Sequence, residues 1–89
     1  MVKKSIVVKL DQKTDVMPIA MLVQVASQYE SSIYVDADEK RVNAKSIMGM
    51  MSLEPKNGDF LTVTADGADE EAALAEIEEV LRNKLNLLS

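Results

Sequence analysis

The chain has 89 residues, of which 47% are hydrophobic and 28% charged, and its net charge is −5. These values predict one globular domain, residues 1–89, and the negative charge argues against direct binding to nucleic acid, which needs a basic face. The sequence contains no cysteine and no histidine. Zinc sites, thiol nucleophiles, serine–histidine triads and phosphohistidine are therefore excluded, and we expect no metal or cofactor.

The segment MVKKSIVVKL at the start of the chain has an apolar part that is too short and too interrupted by charge for an export signal. No apolar run approaches the roughly 20 residues of a membrane span. We therefore expect a cytoplasmic protein without membrane contact.

The first half of the chain predicts a strand, a helix and a hairpin. Residues 5–10 alternate, with Ile6, Val8 and Leu10 on one face, which is typical of a half-buried strand. Residues 16–27 have apolar side chains at spacings of three and four, which predicts a helix. Residues 33–44 indicate two strands joined by a polar turn within DADEK. The apolar stripe predicted for the helix comprises Met17, Ala20, Met21 or Val23, and Val25.

The second half predicts a short helix, a loop, a strand and a longer helix. Ser46 is a candidate N-cap for a helix over 45–53, and residues 54–59 form a loop. Residues 60–65 alternate like a strand, and Asp69 is a candidate N-cap for a helix over 70–84. The buried stripe predicted for that last helix comprises Ala73, Leu74, Ile77 and Leu81.

The predicted element order is βαββαβα. Strands with one apolar face each, separated by helices, favour an α+β fold. We expect an open-faced two-layer sandwich, in which a four-stranded antiparallel sheet carries three helices on one face.

With these elements in place, the chain resembles the HPr family of the bacterial sugar phosphotransferase system. The resemblance is carried by the segments VNAKSIMGMMSL (42–53) and DGADEEAAL (66–74) and by the element order, and it extends from about Lys4 to about Leu81. In kind the chain is most similar to the regulatory branch of the family, the HPr-like Crh proteins of bacilli, which also lack the phosphorylated histidine.

The resemblance implies that the phosphocarrier site is lost. Phosphocarriers of the family have the motif G-[aliphatic]-H-A-R-P-A, in which the histidine carries phosphate from enzyme I to a sugar-specific enzyme IIA. The matching segment here is KTDVMPI (13–19), so Asp15 occupies the histidine position and Met17 the arginine position, while Pro18 is kept. Methionine cannot replace the guanidinium that steadies the phosphoryl oxygens.

Three roles are open to Asp15. It can be a helix N-cap, worth about 0.5–2 kcal/mol relative to alanine. It can be a permanent negative charge that replaces phosphohistidine, although one carboxylate carries less charge and fewer oxygens than a phosphate. It can also be an acyl-phosphate acceptor, but such sites recruit magnesium through further carboxylates, and only Asp11 is near in sequence.

Ser46 is the stronger candidate for modification. A serine at a helix start can cap the helix and can also accept a phosphate, whose charge is favourable at the positive end of the helix dipole. The resemblance implies phosphorylation of Ser46 by HPr kinase/phosphorylase. Lys45 adds a positive charge beside it.

Ile47, Met48 and Met51 follow Ser46 and are either core residues or a docking surface. Methionines at helical spacing are usually buried, but so short a helix cannot bury every apolar side chain, and flexible thioethers suit a surface that binds several partners. Met48 and Met51 are the more exposed pair in the docking interpretation. The resemblance implies that Lys45, Ile47, Met48 and Met51 meet the kinase and the catabolite control protein.

Three functions follow from these observations. The first is a regulatory, non-enzymatic protein of carbon catabolite repression that is phosphorylated on Ser46 and binds partner proteins. The second is a phosphotransferase-system phosphocarrier that uses Asp15 or an external site, and the third is an interaction module without a signalling role. The sequence favours the first, because the serine segment is intact while the histidine segment is not. It leaves open whether the protein forms a homodimer and whether the catabolite control protein binds without the arginine.

Overall fold

A computed structural model of the chain describes residues 1–8, 19–53 and 58–82. Its elements, in chain order, are β1 (Val2–Val7), α1 (Ile19–Ser27), β2 (Ser32–Ala37), β3 (Lys40–Asn43), α2 (Ile47–Leu53), β4 (Phe60–Asp66) and α3 (Glu70–Leu81). The predicted order βαββαβα is confirmed. Over these described ranges, no helix is long and apolar enough to cross a membrane.

The four strands form one sheet in the order β1-β4-β2-β3, and every neighbouring pair is antiparallel. The helices form the second layer, in which α3 packs on β1 and β4, and α2 packs on β3 and against α1. The predicted two-layer α+β sandwich is therefore confirmed. Strand β3, at the edge of the sheet, leads directly into the short helix α2.

The alternating strands bury the side chains that their pattern predicts. Leu61, Val63 and Ala65 of β4 are fully buried under the helices, and Ile33 and Val35 of β2 lie beside them. Ile6 of β1 and Val8, directly after this strand, are also buried, and Val2 of β1 and Val42 of β3 are partly buried against the same core. Strand β1 begins earlier than predicted because Val2 to Val7 all pair with β4; Leu10 lies outside the described residues.

Helix α1 buries only part of the predicted stripe: Val25 is buried as predicted, and Met21 and Val23 are partly buried. Leu22, Val25 and Ala26 are its buried residues, whereas Ala20 is exposed. The prediction of Ala20 was wrong because nearly every position of IAMLVQVA is apolar, so the spacing fits more than one stripe. Met17 lies outside the described residues.

Helix α3 buries most of its predicted stripe. Ala73, Ile77 and Leu81 are buried, Val80 joins them, and Leu74 is only partly buried. The helix ends at Leu81, where the backbone N–H of Arg82 donates to the carbonyl oxygen of Glu78 at 2.9 Å. Residues 83–89 lie outside the described part of the chain.

Asp69 does not cap α3 with its side chain, contrary to the prediction. Its carboxylate instead accepts hydrogen bonds from the backbone N–H groups of Glu30 at 2.9 Å and Ser31 at 3.0 Å, and from the hydroxyl of Ser31. Ser31 is fully buried, and its polar groups need acceptors inside the protein. These bonds, the one from the Ser31 hydroxyl above all, lower the pKa of Asp69.

Gly67 brings the same two turns into close contact. A side-chain Cβ at this position would lie 2.7 Å from the Cα of Ser31, a distance that carbon atoms do not tolerate. The turn between α1 and β2 therefore packs directly on the turn between β4 and α3. The hydrogen bonds of Asp69 hold the two turns together.

We predict that Asp69→Asn lowers the melting temperature at about pH 7 and that its deficit relative to wild type shrinks towards about pH 3. A lowered carboxyl pKa means that the stabilisation is present above the ordinary pKa, about 3.9, and is lost as the pH falls through the folded-state value. Thermal unfolding followed by circular dichroism at both pH values measures the deficit.

Asp38→Asn is the matched control, because it removes the same charge at the exposed turn between β2 and β3. Asp38 has a φ of 55°, which asparagine also adopts readily. An equal deficit for Asp69→Asn at both pH values would show that the carboxylate charge does not stabilise the two turns.

Candidate phosphorylation and docking site

Ser46 lies immediately before α2 and caps it. Its Oγ accepts a hydrogen bond from the backbone N–H of Gly49 at 3.2 Å, which confirms the predicted N-cap. Its carbonyl oxygen accepts the N–H of Met50 at 3.0 Å, the first bond that continues into the helix. Ser46 is half-buried, and its hydroxyl accepts this cap bond at the partly exposed start of the helix.

The turn before Ser46 is fixed by Asn43. The backbone N–H of Lys45 donates to Asn43 Oδ1 at 2.8 Å, and the N–H of Ser46 donates to the Asn43 carbonyl oxygen at 3.0 Å. The buried Ala44 donates its N–H to the carbonyl oxygen of Ile33 at 2.9 Å, which ties the turn to β2. The backbone that presents Ser46 is thus set by hydrogen bonds that do not involve the serine hydroxyl.

Lys45 contacts the end of α1 rather than projecting freely. Its Nζ donates to the carbonyl oxygen of Tyr29 at 2.7 Å, and its side chain is half-buried. A cation here is favourable because carbonyl groups at a helix C-terminus lack partners within the helix. Lys45 was predicted to bind a partner, and this role stays a prediction. In the free protein its ammonium is bound to the carbonyl oxygen of Tyr29.

Tyr29 is a site residue that the sequence did not single out. Its hydroxyl donates a hydrogen bond to Glu76 of α3, and this bond, with burial and the nearby carboxylate, raises the pKa of Tyr29 to about 12. Tyr29 therefore links Lys45, next to the candidate phosphorylation site, to α3. No local pattern indicates this role, because the three residues are far apart in the sequence.

Helix α2 has a buried face and an exposed face. Met50 and Leu53 point into the core, and Met50 has no exposed surface. The exposed fractions of Met48, Met51 and Ile47 are 75%, 56% and 47%. The prediction that Met48 and Met51 are exposed is confirmed, and the alternative that these three residues belong to the core is wrong. Their role in docking stays a prediction.

Two lysines stand at the two ends of α2. Lys45 precedes the helix, and Lys40 donates from Nζ to the carbonyl oxygen of Ser52 at 3.2 Å, near the C-terminal end. The hydroxyl of Ser52 donates to the carbonyl oxygen of Gly49 at 2.7 Å and so bonds back to its own helix. We call Ile47, Met48 and Met51 the α2 patch; it is an exposed apolar surface with a cation at each end, in a chain of net charge −5.

The predicted remnant of a phosphocarrier site falls outside the described residues. Asp15 and Met17 belong to the range 9–18, so their placement at the family's histidine and arginine positions stays a prediction. In the described ranges, no group of three or more acidic side chains could hold a metal ion.

Comparison with known proteins matches most of the chain to one protein family. A family model described as the PTS HPr component phosphorylation site matches residues 2–83. The HPr-like protein Crh of Halalkalibacterium halodurans is 43% identical over 74 residues, which cover 83% of this chain and 88% of that protein.

Two solved structures have the same fold and similar sequences. The crystal structure of HPr-C-His from Thermoanaerobacter tengcongensis superposes with a TM-score of 0.84 at 39% identity, covering 94% of each chain. The crystal structure of Crh from Bacillus subtilis, described as an intertwined dimer with a swapped domain, gives a TM-score of 0.72 at 34% identity and covers 97% of this chain and 94% of that one.

We predict that Met48→Lys/Met51→Lys folds cooperatively and changes the free energy of unfolding by no more than about 1 kcal/mol, because both side chains are exposed. Urea denaturation followed by circular dichroism measures this change. Met50→Lys is the matched control on the buried face of the same helix, and it should unfold the protein because it buries an unpaired ammonium. A loss of several kcal/mol in the double variant would mean that the α2 patch is part of the core.

Proposed function

The chain belongs to the HPr family of phosphocarrier and regulatory proteins, and from this premise we propose that it is a regulatory member phosphorylated on Ser46 by HPr kinase/phosphorylase. Phosphorylation would change its affinity for partner proteins in carbon catabolite repression. In this proposal the protein is not an enzyme, acts in the cytoplasm and carries no phosphohistidine.

The observation that carries this proposal is the position of the Ser46 hydroxyl beside the α2 patch. A kinase needs a hydroxyl that it can reach, a surface on which to dock and a product that the fold accepts. Ser46 Oγ gives up only the 3.2 Å cap bond from Gly49 when it reacts. Met48 and Met51 offer exposed apolar surface within the next two turns of the helix.

The reaction forms one bond and breaks one bond. Ser46 Oγ attacks the γ-phosphorus of ATP, the bond from that phosphorus to the ADP oxygen breaks, and the hydroxyl proton passes to a base on the kinase. The phosphoserine gains about −1.5 to −2 charges and three acceptor oxygens. These oxygens can accept the N–H group of Gly49 and the other free N–H groups of the first turn of α2, so the product needs no new fold.

The backbone hydrogen bonds of Ser46 support the view that phosphorylation changes the charge of the surface and not the fold. Ser46 joins the fold through its own N–H to Asn43 and its carbonyl oxygen to Met50, and neither bond involves the hydroxyl that would be phosphorylated. What changes is the charge next to an apolar surface. Charge changes of this kind alter which partners bind and how fast they associate.

The phosphocarrier alternative requires a residue that this chain does not have. Transfer from enzyme I to an enzyme IIA runs through a histidine nitrogen in the family, and the sequence contains no histidine. Asp15 would have to serve as an acyl-phosphate acceptor without the arginine, because Met17 takes its place. A module without a signalling role is the third candidate, and the intact segment KSIM (45–48) speaks against it.

The proposed partners follow from the same site. The kinase is the first partner, and the catabolite control protein is the second candidate, although the loss of a cation at Met17 removes one favourable contact for it. The swapped dimer described for Crh of Bacillus subtilis supports a homodimer as a further proposed state.

We predict that HPr kinase/phosphorylase with ATP labels the wild-type protein on one serine and that Ser46→Ala abolishes the label. Ser46→Ala should cost no more than a lost cap, about 0.5–2 kcal/mol, so the variant stays folded. Ser46→Asp should be folded but act as a partial mimic, since it carries one charge where the phosphate has nearly two. Phosphopeptide mapping by mass spectrometry identifies the labelled residue.

Ser52→Ala is the matched control, because Ser52 is an exposed serine of the same helix whose hydroxyl also bonds to the helix backbone. It should keep the label on Ser46. A wild-type protein that stays unlabelled, or a label on Ser52 or Ser5, would exclude the regulatory function proposed here.

We also predict no phosphoryl transfer from enzyme I and phosphoenolpyruvate. Without a histidine no acid-labile phosphohistidine can form, and Asp11 is the only acidic residue close to Asp15 in sequence that could help recruit the magnesium an acyl phosphate needs. Intact-mass spectrometry after incubation measures this transfer, with a histidine-containing HPr as the positive control. A stoichiometric gain of one phosphoryl group that Asp15→Ala removes would favour the phosphocarrier function instead.

A further inference from the structure

Helix α2 exposes two thioethers and buries a third between them. Met48 and Met51 are three positions apart, so they lie on the same side of the helix, with exposed fractions of 75% and 56%. Met50 is fully buried. Three chemically identical side chains in four residues thus differ only in their access to solvent.

We propose that Met48 and Met51 form a reversible oxidation site, and that their conversion to sulfoxides by a hydroperoxide weakens docking through the α2 patch. This inference deepens the proposed function, because it concerns the surface that the kinase would bind. The reagent class is a hydroperoxide, with hydrogen peroxide as its simplest member, and reversal requires a thiol-dependent methionine sulfoxide reductase.

The chemistry balances without a metal or a cofactor. The sulfur lone pair attacks one oxygen of the peroxide, an S–O bond forms and the O–O bond breaks. The second oxygen leaves as hydroxide and takes up the proton of the oxygen now bound to sulfur, which gives a sulfoxide and water, so the sulfur loses two electrons and the peroxide gains them. In the reverse direction a reductase removes the oxygen, and two thiols supply the electrons as they form a disulfide.

The consequence follows from the burial of each sulfur. A sulfoxide is polar and strongly hydrated, so it costs little where the side chain already lies in water and much where a partner must desolvate it. Oxidation of Met48 and Met51 should therefore leave the core intact and make the α2 patch unsuitable for an apolar contact. Met50 is shielded by the fold and should stay reduced while the protein is folded.

The test combines peptide mapping with the kinase reaction. The folded full chain is treated with dilute hydrogen peroxide, the peroxide is removed, and oxidised residues are located by mass spectrometry. We expect sulfoxides at Met48 and Met51 and none at Met50. The rate of Ser46 labelling, measured below the KM for the protein, should fall about tenfold or more, since burying one methionine side chain contributes at least this factor to binding. A methionine sulfoxide reductase should restore it.

Met48→Leu/Met51→Leu is the control, because leucine keeps an apolar side chain of similar volume that peroxide does not oxidise. The quantity compared is the ratio of treated to untreated labelling rates within each protein, whatever the variant's own rate. This ratio should be close to one in the variant. The variant keeps Met1, which is 78% exposed and precedes the strand at the opposite edge of the sheet from β3, so an effect of oxidation there would still appear.

Each outcome decides one part of the proposal. Oxidation of Met50 as fast as Met48, or a treated wild-type protein labelled at its untreated rate, overturns the inference while the proposed function stands. A drop in rate that the double leucine variant shares also overturns it. If the untreated protein is not labelled at all, the proposed function and the docking part of the inference both fail, and peptide mapping alone decides the selectivity of oxidation.

Discussion

The turn that follows α1 forms hydrogen bonds with residues elsewhere in the chain. The position of the candidate site at the start of α2 depends on these bonds. Asp69, just before α3, accepts the N–H groups of Glu30 and Ser31. Lys45, just before α2, donates to the carbonyl oxygen of Tyr29. The bonds from Ser31 and Lys45 are partly buried, where a backbone group without a partner is costly, and they join the starts of α2 and α3 to the end of α1.

The length and position of α2 explain why its methionines face solvent. The helix has seven residues, about two turns, and it follows an edge strand of four residues. It therefore packs with one side only, against β3 and α1. Met50 and Leu53 fill that contact, and every other long side chain of the helix must point outwards. The exposed apolar surface of α2 is therefore a consequence of the topology. Binding a partner there removes no contact from the core.

Patterns that depend on neighbouring residues were readable from the sequence. The alternation of Leu61, Val63 and Ala65 requires only that one face of β4 be covered, and the cap by Ser46 requires only the helix that follows it. The order βαββαβα and the two-layer fold follow from such local signals. The buried face of α1 was not readable, because almost all of its positions are apolar and only its packing partners select Leu22 and Ala26.

Roles that depend on distant residues were not readable. Asp69 and Ser31 are 38 residues apart, and Tyr29 and Glu76 are 47 apart. Asp69 has the position and chemistry of a helix cap, but the turn after α1 offers its carboxylate three donors, two of them from the buried Ser31. The sequence places the charge of Lys45 beside Ser46 and gives no sign that its ammonium joins the start of α2 to the turn after α1.

The two faces of α2 separate the contacts of the core from the groups that we propose are modified. The inner face of α2 is formed by Met50 and Leu53, which are buried in the core. The backbone of Ser46 is hydrogen-bonded to Asn43 before the helix and to Met50 within it. The outer face carries the Ser46 hydroxyl and two thioethers, and phosphate or sulfoxide oxygens added there meet water rather than the core. Both modifications make an apolar surface more polar without breaking an inner contact. A protein this small could take up such signals on α2, because the groups that would be modified lie outside the core and the cap bond that Ser46 would release contributes only about 0.5–2 kcal/mol.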